Sequence, residues 1–307
     1  MPAVPPKRSA CWSGASAHRA DHDDPGRTRT GQRRMFPNWR KASVRPPPQG
    51  PHRNPSSDIG FSATQLPFPV EQLIRTVLWM CQDRRVVDLV AEAATCNAGW
   101  CDAVCRSLSL PTRWSDEAWT VAERSPDGYP DAVTLSPKAE AHNVLQRVDG
   151  GVGCSVKDSF AVLDLEPWGF RVLFKATWIR RTAARAIGPV TLDWREVRSA
   201  AELDQWSSGH DLDIFGPALL DIGDLRFFHS GPGSGAGFAL NRVGRVVGVS
   251  NIFVGQEDPI VVWSDLVAVA ARTNPGMDLA GYELGEDLRS AAAVGFIQTG
   301  PLQVWML

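Results

Sequence analysis

The pattern of hydrophobic and polar positions changes near residue 68 of the 307-residue chain. Before that point, Pro, Arg, Ser and Gly form clusters such as PPKR and VRPPPQGPHRNPSS, and apolar residues show almost no periodicity. Beyond it, apolar residues recur at helical or strand spacing up to the C-terminus. A segment with so little apolar surface cannot offset the entropy that it loses on ordering. We therefore predict a disordered, basic tail over residues 1–68 and a folded remainder.

Residues 69–182 predict a first α+β lobe. An apolar stripe predicts a helix over 70–94, and Asn97 is a candidate N-cap for a second helix that ends near Leu108. The stretch PTRWSDEAW then predicts a loop. The remaining elements are a strand over 132–135, a helix that begins at Ser136-Pro137, and strands over 154–165 and 169–179. Because Glu166-Pro167-Trp168-Gly169 has the length of a tight turn, we expect the last two strands to form a hairpin.

Residues 188–307 predict a second lobe with the element order β-α-α-β-β-β-α-β-α-β. Its strands are expected over 190–197, 225–229, 237–242, 244–253, 279–283 and 297–305, and its helices over 199–205, 217–221, 260–273 and 286–294. In the segment GRVVGVSNIF, over 244–253, a β-branched run is broken by Gly248 and ends in Ser250 and Asn251. This pattern is typical of a buried strand with a polar exit that faces a ligand.

This order of elements over 190–307 resembles the fold of the acetyl-CoA-dependent N-acetyltransferases, the GNAT family. The closing stretch GYELGEDLRSAAAVGFIQTGPLQVWM is similar to the last strand, helix and strand of that family, in which the helix ends in a Gly-Phe pair like Gly295-Phe296. The resemblance implies an α/β (α+β) fold with a mixed, mostly antiparallel sheet flanked by helices. We interpret the chain as similar to an actinobacterial-type member, with a diverged N-terminal lobe over 69–182 and a GNAT-like acyl-CoA-binding domain over 188–307.

The resemblance also implies acetyl-CoA as a co-substrate. In the family, the pantetheine arm lies along a splayed fourth strand, and the pyrophosphate binds free backbone N–H groups at the start of the next helix. Here those roles fall to Val247, Gly248, Val249, Ser250 and Asn251 on the strand, and to Gly255 and Gln256 in the following loop. The loop departs from the family pattern Arg/Gln-x-x-Gly-x-Gly/Ala, because only Gly255 and Gln256 resemble it. Glu257 and Asp258 are expected to repel phosphate.

The catalytic groups are expected at the end of the strand over 279–283. The family's general acid is a Tyr four residues before the helix-ending Gly, and this chain has Ala291 there. We expect Tyr282 to protonate the departing thiolate instead, and Glu283 to deprotonate the ammonium of the acceptor. Packing of the Tyr282 ring beneath the central strand is the structural alternative. His210 and His229 are less well placed.

Charge excludes one class of partner and favours another. Residues 1–60 hold 11 Lys/Arg and 4 Asp/Glu, so they carry +7, and the remainder of the chain carries −9. An acidic folded part is a poor surface for nucleic acid, because phosphate binding depends on clustered Lys and Arg. It suits a small-molecule amine better. Four charged residues among apolar strand neighbours are either solvated or line a polar pocket: Lys157, Asp158, Asp164 and Lys175.

The six cysteines show no CxxC spacing and no nearby histidine, so we expect free, reduced thiols and no metal. They are Cys11, Cys81, Cys96, Cys101, Cys105 and Cys154. The sequence has no apolar run of the ~20 residues that a membrane span needs and no secretory h-region. We therefore expect a cytoplasmic protein that does not bind membranes, and the pattern leaves its oligomeric state open.

Three functions stay open at this point. The first is an acyltransferase that transfers an acetyl group from acetyl-CoA to an amine. The second is a non-catalytic, GNAT-fold ligand- or CoA-binding protein that has lost the phosphate loop and the acid, because fold does not fix function. The third is a ligand-binding module whose pocket lies between the lobes and is lined by Trp100, Trp168, Trp178 and Trp263.

Overall fold

Eleven strands in the described part of the chain pair into one sheet, and five helices flank it. The structure is a computed structural model that describes residues 70–183, 188–210, 212–231 and 235–307, with side chains from residue 85 onward. The predicted tail over 1–68 lies outside the described residues. The helices are α1 (Val70–Ser107), α2 (Ala141–Leu145), α3 (Ala200–His210), α4 (Pro259–Thr273) and α5 (Gly285–Ala293).

The strands lie side by side in an order that differs from their order in the chain. They are β1 (Thr112–Trp114), β2 (Ala118–Val121), β3 (Ala132–Thr134), β4 (Ser155–Asp158), β5 (Arg171–Arg181), β6 (Arg195–Glu196), β7 (Leu225–His229), β8 (Gly237–Val243), β9 (Val246–Phe253), β10 (Asp278–Glu283) and β11 (Ile297–Met306). The spatial order is β1-β2-β3-β4-β11-β5-β10-β9-β8-β7-β6. Only the neighbours β3–β4 and β9–β10 are parallel. The fold is therefore mixed α/β with a mostly antiparallel sheet flanked by helices, and that prediction is confirmed.

The C-terminal strand β11 lies between β4 and β5, so the predicted hairpin of those two strands is wrong. At the end of β4, the Asp158 carboxylate accepts hydrogen bonds from the backbone N–H groups of Phe160 (3.3 Å) and Leu163 (2.7 Å). These bonds turn the chain out of the strand, which therefore ends at Asp158 rather than near residue 165. A short 3₁₀ turn, Glu166–Trp168, then leads to β5.

Strands from both predicted lobes alternate in this sheet. β11 joins β4 on one side to β5 on the other, and β10 pairs with the opposite edge of β5. Residues of 69–182 and of 188–307 thus contribute neighbouring strands to one sheet. The division of the chain into a lobe and a separate acyl-CoA-binding domain stays a prediction.

Helices cover both faces of the sheet. α1 and α3 pack on one face, and α4 and α5 pack on the other. Successive strand residues alternate between the faces. In β9, Val246 contacts the core beneath α1, whereas Val247 and Val249 contact the core beneath α4. Burial on both faces explains why this strand is apolar at nearly every position.

One continuous helix, α1, replaces the two helices predicted over 70–94 and 97–108. Asn97 lies in its interior and does not cap a helix. Its side-chain Oδ1 accepts a hydrogen bond from Lys157 Nζ at 2.8 Å. Ala94 and Ala98, both fully buried, continue the packed face of the helix across the predicted break. The prediction that Asn97 caps a second helix is therefore wrong, and its side chain binds the buried Lys157 instead.

Three shorter segments also differ from prediction. The stretch PTRWSDEAW forms most of the β1–β2 hairpin instead of a loop, and α2 begins at Ala141 rather than at Ser136. The strand predicted over 190–197 shrinks to β6. The Asp265 carboxylate on α4 accepts hydrogen bonds from the N–H groups of Thr191 (2.9 Å) and Leu192 (2.7 Å). These bonds hold the segment against the helix and away from strand pairing.

Gly248 allows α1 to pack closely against β9. A Cβ atom at this position would lie 2.9 Å from the Cys96 sulfur and would overlap the side-chain oxygen of Asn241. The Asn241 amide on β8 donates a hydrogen bond to the Cys96 backbone oxygen at 2.7 Å. These three residues therefore tie α1, β8 and β9 together, and the space beside Gly248 is filled by protein.

We expect Gly248→Ala to lower the free energy of unfolding by roughly 1–3 kcal/mol, because the added methyl group overpacks a filled interior. Denaturant unfolding measures the loss. Asn241→Ala removes the clashing amide, so the double variant should lose less than the sum of the two single variants. Gly216→Ala is the control, since its Cβ would meet no atom within 4 Å. Strictly additive losses would contradict the contact.

Candidate functional site

Strands β9 and β10 pair over only part of their length. Their parallel register starts at Val246 and Asp278 and ends at Gly248 and Ala280. Beyond that pair, β10 continues along β5 and β9 continues along β8. On the side that faced β10, residues 249–251 therefore have no strand partner within the described part of the chain. The two strands diverge at this point and leave an opening in the sheet.

β9 contains a bulge at this opening. Asn251 has a φ of 51°, a left-handed conformation that few non-glycine residues adopt. The pairing with β8 shifts register here, from Ala239 opposite Ser250 to Gly237 opposite Phe253. A β-bulge bends its strand and re-aims the local side chains. It brings Ser250 and Asn251 to the opening, where the Asn251 amide donates to Ser250 Oγ at 3.1 Å.

A pocket, which we call the splay pocket, lies at the opening beside α1. One turn of α1, the loop before β3, strand β4 and the ends of β9 and β10 form its walls, and its inner volume is about 40 Å³. The lining residues are Asn97, Trp100, Cys101, Gly128, Tyr129, Pro130, Lys157, Phe174, Leu212, Val249, Ser250, Asn251, Tyr282, Glu283 and Leu284. Residues from distant parts of the sequence therefore meet here.

Lys157 is the buried cation of the splay pocket. Its side chain comes from β4, and the residue is 4 % exposed. Nζ donates to Asn97 Oδ1 at 2.8 Å and lies 4.2 Å from the centre of the Tyr282 ring. Burial lowers the pKa of Lys157 to about 8, since an apolar environment disfavours the charged form. The charged residues predicted in the strands were expected either to be solvated or to line a polar pocket, and Lys157 lines the pocket.

Both tyrosines of the chain line this pocket. The Tyr129 hydroxyl accepts a hydrogen bond from Trp100 Nε1 at 2.9 Å and interacts with the Asn251 side chain. The Tyr282 ring packs edge-on against Trp178, with ring centres 5.6 Å apart. Burial raises the pKa of both phenols well above the ordinary value, so both stay protonated at neutral pH. Tyr282 thus has the packing contact of the structural alternative and also borders the pocket.

Glu283 is the acidic group of the splay pocket. Burial raises the pKa of its carboxyl well above the ordinary value, and the charge of Asp287 on α5 raises it further. A carboxyl group with a raised pKa is better matched to taking a proton from an amine near neutral pH. The predicted acid and base, Tyr282 and Glu283, are therefore at the opening, and their catalytic roles stay predictions.

A second cavity, of about 350 Å³, lies between the end of β9 and the N-terminal ends of α4 and α5. We call it the helix-end cavity. Its lining residues are Ile252, Phe253, Val254, Asp258, Pro259, Ile260, Glu286, Asp287, Arg289 and Ser290. This is the place where the resemblance puts the pyrophosphate of acetyl-CoA.

The N-terminal end of α4 is capped by the side chain of Asp258. Asp258 is the N-cap residue, and its Oδ1 accepts a hydrogen bond from the Ile260 N–H at 2.8 Å. Pro259 has no N–H, and the Val262 N–H donates to the Asp258 backbone oxygen at 3.0 Å. Glu286 and Asp287 add two carboxylates to the same cavity. These residues do not fit a pyrophosphate, which needs free donors and positive charge.

The predicted cofactor residues separate into three groups. Val249, Ser250 and Asn251 line the splay pocket. Val247 is buried in the core beneath α4, and Gly248 packs against α1. Gly255 and Gln256 lie in the turn before α4, outside the lining of both cavities. Contact of these residues with acetyl-CoA stays a prediction.

The four tryptophans proposed to line a pocket have different environments. Trp100 borders the splay pocket. Trp178 and Trp263 are fully buried in the core, and Trp168 is 46 % exposed on the 3₁₀ turn before β5. Trp100 is thus the one of the four that lines the splay pocket, and a ligand site that all four line stays a prediction.

Two residues central to the splay pocket, Tyr129 and Lys157, were not assigned a catalytic or cofactor-binding role from the sequence, although Lys157 was one of the four strand charges considered as pocket lining, and each has a signal in the sequence. Tyr129 is one of only two tyrosines in the chain, and both lie at the pocket. Lys157 is a cation within the apolar strand pattern of β4. Neither signal could select the residue alone, because the partners Trp100 and Asn97 come from α1, whose position depends on tertiary packing.

The described cysteines are free and buried: Cys96, Cys101, Cys105 and Cys154. Burial raises the pKa of the Cys101 thiol, at the edge of the splay pocket, to about 11. Over the described ranges, no group of three or more His, Cys, Asp or Glu residues is arranged to hold a metal ion. None of the helices in those ranges combines the length and the apolar character that crossing a membrane requires.

Similar structures have been solved, although the sequence matches no protein-family model and no curated protein. One is assigned as an acetyltransferase from the GNAT family of Novosphingobium aromaticivorans, with 14% identity, 66% of this chain and 92% of that chain covered, and a TM-score of 0.45. A functionally unknown conserved protein from Staphylococcus epidermidis has 8% identity, 66% and 96% coverage, and a TM-score of 0.44. A GCN5-related N-acetyltransferase from Sphaerobacter thermophilus has 8% identity, 52% and 62% coverage, and a TM-score of 0.36.

We expect Lys157→Met to raise the free energy of unfolding at pH 7 by roughly 1–3 kcal/mol, because each unit of pKa shift corresponds to about 1.4 kcal/mol. The folded pKa of Lys157 is about 8, below the ordinary 10.5, so the unfolded chain binds more protons between these values. The free energy of unfolding of the parent therefore rises with pH between about 8 and 10.5. Over the same range, the difference in stability between the variant and the parent becomes smaller.

Denaturant unfolding of both proteins at several values between pH 7 and 10.5 measures this difference. Lys175→Met removes an exposed lysine from β5 and is the control. It should leave the pH dependence of stability unchanged. If the difference in stability between Lys157→Met and the parent is the same at every pH, Lys157 has the same pKa in the folded and the unfolded protein, which would contradict the prediction.

Proposed function

We propose that the chain is a GNAT-like acyltransferase that transfers an acetyl group from acetyl-CoA to a small-molecule amine. One observation carries the proposal: β9 and β10 diverge beside Tyr282 and Glu283. This divergence gives an opening with an unpaired strand edge on one side and the two groups proposed for proton transfer on the other. The strand edge at 249–251 is where the pantetheine arm is proposed to bind, and the splay pocket is where the amine is proposed to bind.

The residues of the opening are assigned two proton transfers. Glu283 takes a proton from the ammonium, so the amine can attack the thioester carbonyl carbon. As the C–N bond forms and the C–S bond breaks, the Tyr282 hydroxyl protonates the departing thiolate. The nitrogen then loses its second proton to solvent, which also returns a proton to the Tyr282 phenolate and takes the one held by Glu283. The raised pKa of Glu283 favours the first transfer, and the protonated state of Tyr282 is the one that the second requires.

A specific observation favours a second candidate, a non-catalytic GNAT-fold protein that binds a ligand or CoA. Asp258 caps the Ile260 N–H at the start of α4, and Glu286 and Asp287 lie in the same cavity. An enzyme with these residues must bind acetyl-CoA without much help from the pyrophosphate. If the acyltransferase proposal is right, we therefore expect modest affinity for acetyl-CoA. If the protein is non-catalytic and its ligand is not CoA, we expect no binding of acetyl-CoA.

Binding of acetyl-CoA and of S-acetylpantetheine separates the candidates. S-acetylpantetheine keeps the arm and the thioester but lacks the pyrophosphate and the nucleoside. A ligand that binds only the folded state must raise the melting temperature. We expect both compounds to do so by similar amounts at equal concentration, because the arm makes most of the contacts. If neither shifts the melting temperature, the acyltransferase proposal falls and the non-catalytic candidate stands.

Asp258→Asn should tighten acetyl-CoA binding, because it removes one negative charge from the pyrophosphate region and keeps an oxygen that can cap α4. A gain of roughly threefold to tenfold in affinity is expected, with little change for S-acetylpantetheine. Calorimetric titration measures both. Glu257→Gln is the matched control, since it removes the same charge from a neighbour that does not line the helix-end cavity. Equal gains in the two variants would point to a general charge effect.

Glu283→Gln should lower turnover by about 10²-fold or more and leave acetyl-CoA binding intact, because it removes the general base. The assay follows free CoA released from acetyl-CoA in the presence of a panel of primary amines. Tyr282→Phe should have a similar effect on turnover through loss of the acid. Glu257→Gln serves again as the control and should retain the parent rate. Unchanged turnover in Glu283→Gln excludes this residue as the base.

A further inference from the structure

Lys157 is a buried ammonium group with no anionic partner in the described part of the protein. The residue is 4 % exposed, and its one hydrogen bond runs from Nζ to Asn97 Oδ1 at 2.8 Å. The Tyr282 ring is its other close contact, 4.2 Å away. An ammonium group has three N–H donors, and buried charges are normally paired. Donor capacity therefore remains at Nζ, among groups that line the splay pocket.

Apart from Glu283, the titratable groups of the pocket do not provide a stable anion. Burial raises the pKa of the Cys101 thiol to about 11, so it is neutral at pH 7. The Tyr129 and Tyr282 phenols also stay neutral, because burial raises the pKa of each. The Glu283 carboxyl, which the proposed function uses as the base, makes no ion pair with Lys157 in the described part of the protein. With a pKa of about 8, Lys157 itself is mostly charged at pH 7.

The size and walls of the pocket restrict what could pair with Lys157. A cavity needs ~10–15 Å³ of space accessible to the centre of a water-sized sphere to hold one water molecule. The inner 40 Å³ thus has room for about three water-sized groups, the size of a carboxylate with its adjoining carbon. Trp100, Phe174 and Tyr282 contribute aromatic rings to the surrounding walls, and Leu212, Val249 and Leu284 contribute aliphatic groups. A ligand with a carboxylate on an apolar stem matches both features.

We propose that the splay pocket binds the carboxylate of a small ligand with an apolar stem, and that Lys157, held by Asn97, is its cationic partner. This inference also specifies the acceptor of the proposed reaction, and that part of it rests on the proposed function. If the pocket holds the acceptor, the acceptor is an amino acid rather than a simple amine. Its carboxylate pairs with Lys157, and its amine lies towards Glu283.

Butyrate and butyramide test the charge requirement, because they have nearly the same shape and differ in charge. Each is added at about 20 mM, at constant ionic strength, to the full chain without acetyl-CoA, and the melting temperature is measured. We expect butyrate to raise it and butyramide to leave it unchanged, with affinities that differ at least about tenfold, as for a hydrogen bond to a charged group. Equal effects of the two compounds, or no effect of butyrate, overturn the proposal.

Matched lysine variants test the residue. Lys157→Met should lose the response to butyrate, whereas Lys175→Met, which removes an exposed lysine from β5, should keep it. Asn97→Asp is the second variant, and it keeps the shape of the side chain. It gives Lys157 an internal carboxylate at the position of the present 2.8 Å hydrogen bond, so it should also weaken butyrate binding. A full butyrate response in both Lys157→Met and Asn97→Asp overturns the proposal.

Acceptor assays separate this inference from the proposed function. Release of CoA from acetyl-CoA is compared for 2-aminobutyrate, 4-aminobutyrate and butylamine. The expected result is release with at least one aminobutyrate and little with butylamine. Equal release with butylamine would keep the acyltransferase and overturn the carboxylate site. Binding of butyrate without any release of CoA would support the carboxylate site and count against the proposed reaction.

Discussion

The close approach of α1 to strands β8 and β9 determines where the splay pocket forms. Gly248 leaves the space, and the Asn241 amide fills it and binds the Cys96 backbone oxygen at 2.7 Å. One turn further along α1, Trp100 and Cys101 line the pocket. Because a helix is rigid over one turn, fixing α1 at Cys96 also fixes that wall. A shift of the helix would therefore change the pocket before it changed the sheet.

The pocket also depends on the position of β11 in the middle of the sheet. β11 separates β4 from β5, so Lys157 on β4 and Tyr282 on β10 come from strands that are not neighbours. They still meet, because the Lys157 side chain and the Tyr282 ring both extend over the intervening strands on the α1 face, and Nζ lies 4.2 Å from the Tyr282 ring centre. A long, flexible stem that carries its charge at the tip suits this span. A shorter cation in β4 could not make the contact.

The sequence was sufficient for most of the second half of the fold and insufficient for the first. Strands such as β7 and β9 and the helix α4 have strong local signals, including Pro259 at the helix start and the stop Asn274-Pro275-Gly276, and all of them form. The predicted hairpin failed because strand pairing is decided by distant partners. Local spacing around Glu166–Trp168 carries no information about β11. The same limit applied to the site: Glu283 followed from its neighbours, whereas Lys157 needed α1 in place.

The contrast between the two ends of the opening bears on what the fold can bind. At the helix-end cavity, Asp258 caps one of the N–H donors that a phosphate would use, and three carboxylates outnumber the one cation, Arg289. At the splay pocket, the buried Lys157 ammonium group makes one hydrogen bond and has donors to spare. Electrostatics therefore favour an anion on the α1 side of the sheet and disfavour one at the α4 end. In this arrangement, charge favours a small anionic ligand at the splay pocket and disfavours the phosphate groups of a donor at the helix-end cavity. We therefore expect the splay pocket to determine the specificity of the protein.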